Sequence, residues 1–169
     1  MTIEISTSMI RELREKTGAG VMDAKRALEQ AGGDMKKAEE ALRERGLASA
    51  AKRSGRTTSE GVVEAYIHSG GRIGAMVELN SETDFVARTD DFKALARNLA
   101  MQVAAMSPVY LDRESVPADA SDIADEQLLV EQDYIRDPGT KIGDLVKELS
   151  AKTGENIKIS RFQRFELGQ

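Results

Sequence analysis

The stretch EGVVEAYIHSGGRIGAMVELN, residues 60–80, decides the architecture. Two runs that alternate with a period of two flank Ser-Gly-Gly-Arg, the composition of a tight hairpin turn. In the first run Val63, Ala65 and Ile67 share one face, and Val62, Glu64, Tyr66 and His68 the other. In the second, Ile73, Ala75, Val77 and Leu79 oppose Gly74, Met76 and Glu78. The pattern predicts an antiparallel hairpin with one buried face.

Working towards the C-terminus, the period changes to that of a helix. Phe92, Leu95, Ala96, Leu99, Val103 and Met106 form a stripe that predicts a helix from Asp90 to Met106 lying across the hairpin. Residues 107–122 contain two prolines and read as irregular, and residues 125–139 read as partly helical. Thr140 is the expected N-cap of a further helix with Ile142, Leu145, Val146 and Leu149 inward. Residues 155–168 close the chain as a strand in which Ile157 and Ile159 alternate. Phe162 and Phe165 break that parity, which predicts a bulge. Strands and helices are segregated, so the class is α+β with a three-stranded antiparallel sheet packed with helices.

Towards the N-terminus three short helices are expected. Ile5, Met9, Ile10 and Leu13 recur at helical spacing behind Ser6 or Thr7 as N-cap. The segment TGAG (17–20) breaks this helix, and Val21, Ala24, Leu28 and Ala31 mark the inner face of a second. Asp34 caps a third, with Met35, Ala38 and Leu42 inward. Residues 47–60 read as a short helix running into a linker. The chain thus divides into a three-helix domain over 1–55 and an α+β core domain over 56–169.

Composition narrows the chemistry. None of the 169 residues is cysteine and one is histidine, so disulfides, thiolate nucleophiles and metal sites built on His and Cys are excluded. The segment MTIEISTSMIRELREK, with Glu4 early and no apolar run, does not resemble a signal peptide. No apolar run reaches the roughly 18–20 residues of a membrane span. The chain reads as soluble and cytoplasmic, with no membrane partner. Residues 1–56 hold 12 Lys/Arg against 9 Asp/Glu, and the remainder 12 against 20. An acidic body is a poor nucleic-acid binder, while the basic N-terminal helices keep open an adaptor role on nucleic acid or protein.

No motif supports catalysis. His68 lacks a nucleophile partner, TGAGVMD has no preceding strand or third glycine for a dinucleotide fingerprint, and no phosphate-binding loop occurs. The chain is expected to be no enzyme and to carry no cofactor or metal. Two features remain. Met22 projects among charges on a helix whose face reads Met22, Lys25, Arg26, Glu29, with Arg14 near the same glycine corner. Phe85 sits beside Asp84 in the polar connector ELNSETDFVARTDDF (78–92), in a chain with only 4% aromatic residues. Its ring either folds back as a staple on the next helix or is displayed outward as a rigid anchor.

These residues resemble a known family. LREKTGAGVMDAKRAL (13–28), the Gly-Asp before the third helix, AAKRSGR with the following EG (50–61), ELNSETDFVAR (78–88) and GENIKISRFQRFELG (154–168) are similar, in order, to bacterial translation elongation factor Ts. The resemblance implies a guanine nucleotide exchange factor for elongation factor Tu, binding it both GDP-bound and nucleotide-free. It implies that residues 1–55 form a ubiquitin-associated-like module that docks on the partner through Arg14, Val21 and Met22. The family commonly has Met at the position of Val21. It further implies that Thr83, Asp84, Phe85 and Val86 intrude near the partner's Mg²⁺ and phosphate site and help dislodge the ion. The chain lacks the second core subdomain, helical hairpin and C-terminal module of longer members, so it is similar to the short form. That form is expected to homodimerise through its sheet, here without the intersubunit disulfide known in some members.

Overall fold

The computed structural model describes residues 5–169, so Glu4 and the three residues before it lie outside the described residues. The centre of the molecule is an antiparallel sheet of β1 (Glu60–Ile67), β2 (Ile73–Ser81) and β5 (Lys158–Glu166), with β2 in the middle. The helix α5 (Asp90–Met106) covers one face of it, with the bounds that its apolar stripe predicts. Phe92, Leu99 and Val103 are fully buried against Val77 and Leu79, while Met106 in the last turn is exposed. Thr89 caps the helix by accepting from the Phe92 N–H at 3.3 Å.

The inner face of β1 is not the one its Val63, Ala65 and Ile67 suggest. Val62 pairs with Leu79 and Tyr66 with Ala75, so Val62, Glu64 and Tyr66 lie on the core side. Val63 and Ile67 are exposed on the outer side, across from Glu78 and Gly74. Cross-strand partners share a face, so the hairpin register, closed by His68 N–H donating to the Ile73 carbonyl, overrides the choice that β1 alone would make. The bulge in β5 is present: the register shifts opposite Glu78 and Leu79 at Ser160, which turns Phe162 inward with Ile159. Phe165 does not follow it inward. It pairs with Gly74 on the outer face.

Residues 125–139 are not helical beyond two single 3-10 turns. They lead into a small hairpin of β3 (Asp133–Tyr134) and β4 (Asp137–Lys141). The fully buried Gln102 holds this excursion to α5. Its amide nitrogen donates to Gln132 Oε1 at 3.1 Å and to the Asp133 carbonyl at 3.0 Å, and its oxygen accepts from the Ile135 N–H at 3.0 Å. Helix α6 (Ile142–Thr153) follows. Its N-cap is Lys141 rather than Thr140, because Thr140 lies within β4 and donates to Asp137 at 2.7 Å.

The N-terminal helices α1 (Thr7–Thr17), α2 (Val21–Gln30) and α3 (Met35–Arg53) enclose their own small core of Leu13, Ala24, Ala27, Leu28, Ala38 and Leu42. Ser6 and Asp34 serve as N-caps of α1 and α3. Val21 is exposed rather than part of the inner face, since α2 begins there and its buried positions start at Ala24. Residues 47–53 continue α3 instead of forming a separate helix, as their Ala-rich composition favours. This longer α3 packs on α6. A Cβ on Gly46 would stand 2.9 Å from the Ala151 Cβ, closer than real side chains approach. Arg43 Nε meets Glu148 at 3.0 Å, and Arg53 donates to the Ser150 carbonyl at 2.9 Å.

Gly46→Val therefore forces α3 and α6 apart. We expect a loss of about 1–3 kcal/mol, the usual range for overpacking, read as a lower melting temperature by circular dichroism.

Candidate functional site

The connector 82–89 is built as a display. Thr83, with φ −125° and ψ 156°, ends the extended run of β2, and a single helical turn, α4 (Asp84–Ala87), follows at once. Ala87 is buried and Val86 packs against the main core, so these two residues anchor the turn. The opposite side carries Phe85, a residue 78% exposed. The ring does not fold back onto α5. Of the two arrangements open in the sequence, the staple is absent.

Several bonds stiffen this turn from below. Thr83 donates to the Glu155 carboxylate through its N–H at 3.1 Å and through its hydroxyl at 2.6 Å. Ser81, fully buried, donates its hydroxyl to the Thr83 carbonyl at 2.9 Å. Thr89 donates to the Val86 carbonyl at 2.7 Å, which closes the turn where α5 begins. Asp84 and Arg88 pair at 2.8 Å with the i,i+4 spacing of a helix. Both remain open to solvent, so the pair contributes little to stability. The turn carries no histidine, lysine or cysteine. It offers a rigid aromatic ring flanked by a carboxylate.

A second surface lies at the corner between α1 and α2. Gly18 ends α1 in the left-handed region at φ 70°, a conformation that side chains other than glycine rarely take. Gly20 precedes α2, and the Arg14 Nε donates back across the corner to the Ala19 carbonyl at 3.3 Å. Val21 and Met22 both project into solvent in the first turn of α2, Met22 at 65% exposure. The structure thus brings Arg14, Val21 and Met22 together on one corner, and Thr83, Asp84, Phe85 and Val86 on one turn. The two are linked through α6: a Cβ on Gly18 would meet Lys152 Cγ at 2.9 Å, and Lys152 Nζ reaches Asp91 in the first turn of α5 at 2.6 Å.

A third surface was not read from residue types. The outer face of the sheet carries Val63, Ile67, Met76 and Phe165, all exposed. Beside them Arg161 Nε donates to Glu78 at 2.7 Å and, with Asn80, holds that carboxyl below its ordinary range. Sequence reasoning also passed over Glu155 and Asn156. Their partners Thr83, Glu82, Ser54 and Arg56 lie 72 or more residues away, beyond any local pattern.

The sequence model of the family described as Elongation factor TS matches residues 21–126. The chain is 52% identical to Elongation factor Ts of Thermotoga petrophila, over 99% of this chain and 98% of that protein. It is 50% identical to the protein of the same name from Desulfosudis oleivorans, over 98% of each chain. It is also 50% identical to that from Carboxydothermus hydrogenoformans, over 98% of this chain and 90% of the relative. The chain belongs to the elongation factor Ts family. Its role is that of elongation factor Ts: guanine nucleotide exchange on elongation factor Tu in translation elongation. These alignments run over 195 positions against 169 residues here, so these relatives carry additional residues internally.

Because the Phe85 ring has no buried contact, Phe85→Ala should leave thermal stability within about 0.5 kcal/mol of the parent. Thr89→Ala, which removes the cap of α5, should cost about 1 kcal/mol. Paired thermal melts measure both.

Proposed function

We propose that this chain promotes GDP release by a two-point grip on elongation factor Tu. Residues 1–55 act as the docking domain, engaging the nucleotide-binding domain of the partner through Arg14, Val21 and Met22. From the core domain, residues 56–169, the turn Thr83, Asp84, Phe85, Val86 enters beside the phosphate and Mg²⁺ site and dislodges the ion. The observation that carries this reading is the exposed Phe85 ring on a turn braced from beneath.

The physics is one of differential binding. The partner holds GDP through a preorganised phosphate loop and Mg²⁺. A factor that binds the nucleotide-free form better weakens nucleotide by the same factor that nucleotide weakens it. A shift of about 10⁴ in nucleotide affinity needs roughly 5.5 kcal/mol of differential binding. Burying one Phe supplies about 1.5–3 kcal/mol, so the docking corner must provide the remainder by holding the ring in register. No covalent bond changes, and the factor acts without an enzyme's chemistry or a cofactor of its own. Nothing in this mechanism calls for nucleic acid.

The outer sheet face supports a homodimer. Val63, Ile67, Met76 and Phe165 make an apolar surface on a sheet whose other face is already covered by α5. Two copies meeting through it would carry two partners. Among the described residues no helix is long and apolar enough to cross a membrane, and the proposed site of action is the cytoplasm, with the translation machinery.

Stopped-flow release of fluorescent GDP from elongation factor Tu tests the wedge: Phe85→Ala should slow catalysed release by about ten-fold to a few hundred-fold. An unchanged rate rules the wedge out. Met22→Ala should weaken partner affinity while leaving the fold intact, as isothermal calorimetry with nucleotide-free partner would read. For the dimer, Phe165→Glu should halve the mass measured by light scattering. A parent protein that is already monomeric at micromolar concentration removes that assignment.

A further inference from the structure

We propose that Glu155 is a positioning residue for exchange: it fixes the direction in which α4 presents Phe85. Through Asn156 the same node ties that direction to the connector carrying the docking helices. The proposal rests on the reading of Phe85 as a wedge.

Helix α4 is one turn long and has no side-chain cap of its own. Val86 and Ala87 anchor its far side on the core, and the residue before it, Thr83, sets the direction in which it starts. The Glu155 carboxylate grips Thr83 at two points, Oε2 on the backbone N–H at 3.1 Å and Oε1 on the hydroxyl at 2.6 Å. A single contact would leave Thr83 free to rotate about it, whereas two on one rigid carboxylate define a plane. Both are charge-assisted, and so stronger than neutral hydrogen bonds. Glu155 is itself fixed, since it follows the left-handed C-cap Gly154 of α6, at φ 74°, and its carbonyl accepts from the Ser150 hydroxyl.

The next residue extends the grip to the other domain. Asn156 is buried and donates its amide to the Ser54 and Arg56 carbonyls at 3.1 and 2.8 Å, the first and third positions past the end of α3. Its N–H donates to Glu82 at 2.6 Å, and Glu82 also faces Arg56 at 3.5 Å. Residues 82–83, 155–156 and 54–56 are thus joined at one point. Docking through the helices and insertion of the ring share that fixed origin, so strain applied at one end reaches the other without loss in a flexible hinge.

The test uses the full chain with elongation factor Tu loaded with fluorescent GDP, at saturating factor. Glu155→Ala should slow release roughly ten-fold, the order that losing a hydrogen bond to a charged group commands. Glu155→Gln should restore most of the rate, because a reversed Thr83 hydroxyl can accept from the new amide while its oxygen keeps the backbone N–H. In a Phe85→Ala background Glu155→Ala should add little, since both act through the same ring. With 4-fluorophenylalanine at the four phenylalanines, the ¹⁹F signal of Phe85 should shift or broaden in Glu155→Ala while that of buried Phe92 stays. Should Glu155→Ala not fold, Glu155→Asp withdraws the carboxylate by one methylene and takes its place with the same expectations. The positioning role is overturned if Phe85→Ala slows release but the Glu155 variant does not, or if its effect adds in full on Phe85→Ala. An unmoved Phe85 signal overturns it too. An unaltered rate in Phe85→Ala alone removes the wedge, and the positioning role with it.

Discussion

The burial of one face of β2 beneath α5 is the constraint on which the other features depend. Val77 and Leu79 are completely enclosed, and β2 is bonded on both edges by β1 and β5. A strand so placed cannot slip in register without turning its apolar side chains to the wrong face. The segment that leaves its end, Ser81 onward, therefore emerges at a fixed point and in a fixed direction. The one-turn helix with the exposed ring is an extension of the most constrained strand in the molecule.

A second constraint acts between the two hydrophobic clusters. The N-terminal helices have a small core, dominated by alanines and two fully buried leucines, of the size that is marginal alone. Their link to the rest is the long α3 lying on α6, with the side-chain-free Gly46 against Ala151 and the Arg43–Glu148 pair beside it. Small residues bring helix axes close, and close axes leave few alternative arrangements. The proposed docking corner is thereby held at a set distance from the sheet.

Much of this was legible in the residues. The periods of two and of 3.6, the start of α5 at Asp90 and the glycine corner are local signals, and the structure follows them. The exceptions have a common cause. Val63 and Ile67 look like an inner face only when β1 is considered alone, and pairing with β2 reverses them. Val21 looks like a core position until the start of α2 is fixed, and Thr140 looks like a cap until β4 claims it. At the candidate site, the exposure of Phe85 could not be told from a staple because both need the same residue at the same place. The grip of Glu155 on Thr83 spans 72 positions and leaves no trace in either segment.

The ion pair between Asp84 and Arg88 bears on how such a turn behaves once it meets a charged cleft. An exposed pair at this spacing is held by only a few tenths of a kcal/mol. The acid is parked rather than locked. A stronger cation nearby can draw it away with little penalty, and the guanidinium left behind is then free to face whatever anion that cation had been neutralising. One loosely latched pair thus holds both signs of charge, balanced, on a single rigid turn.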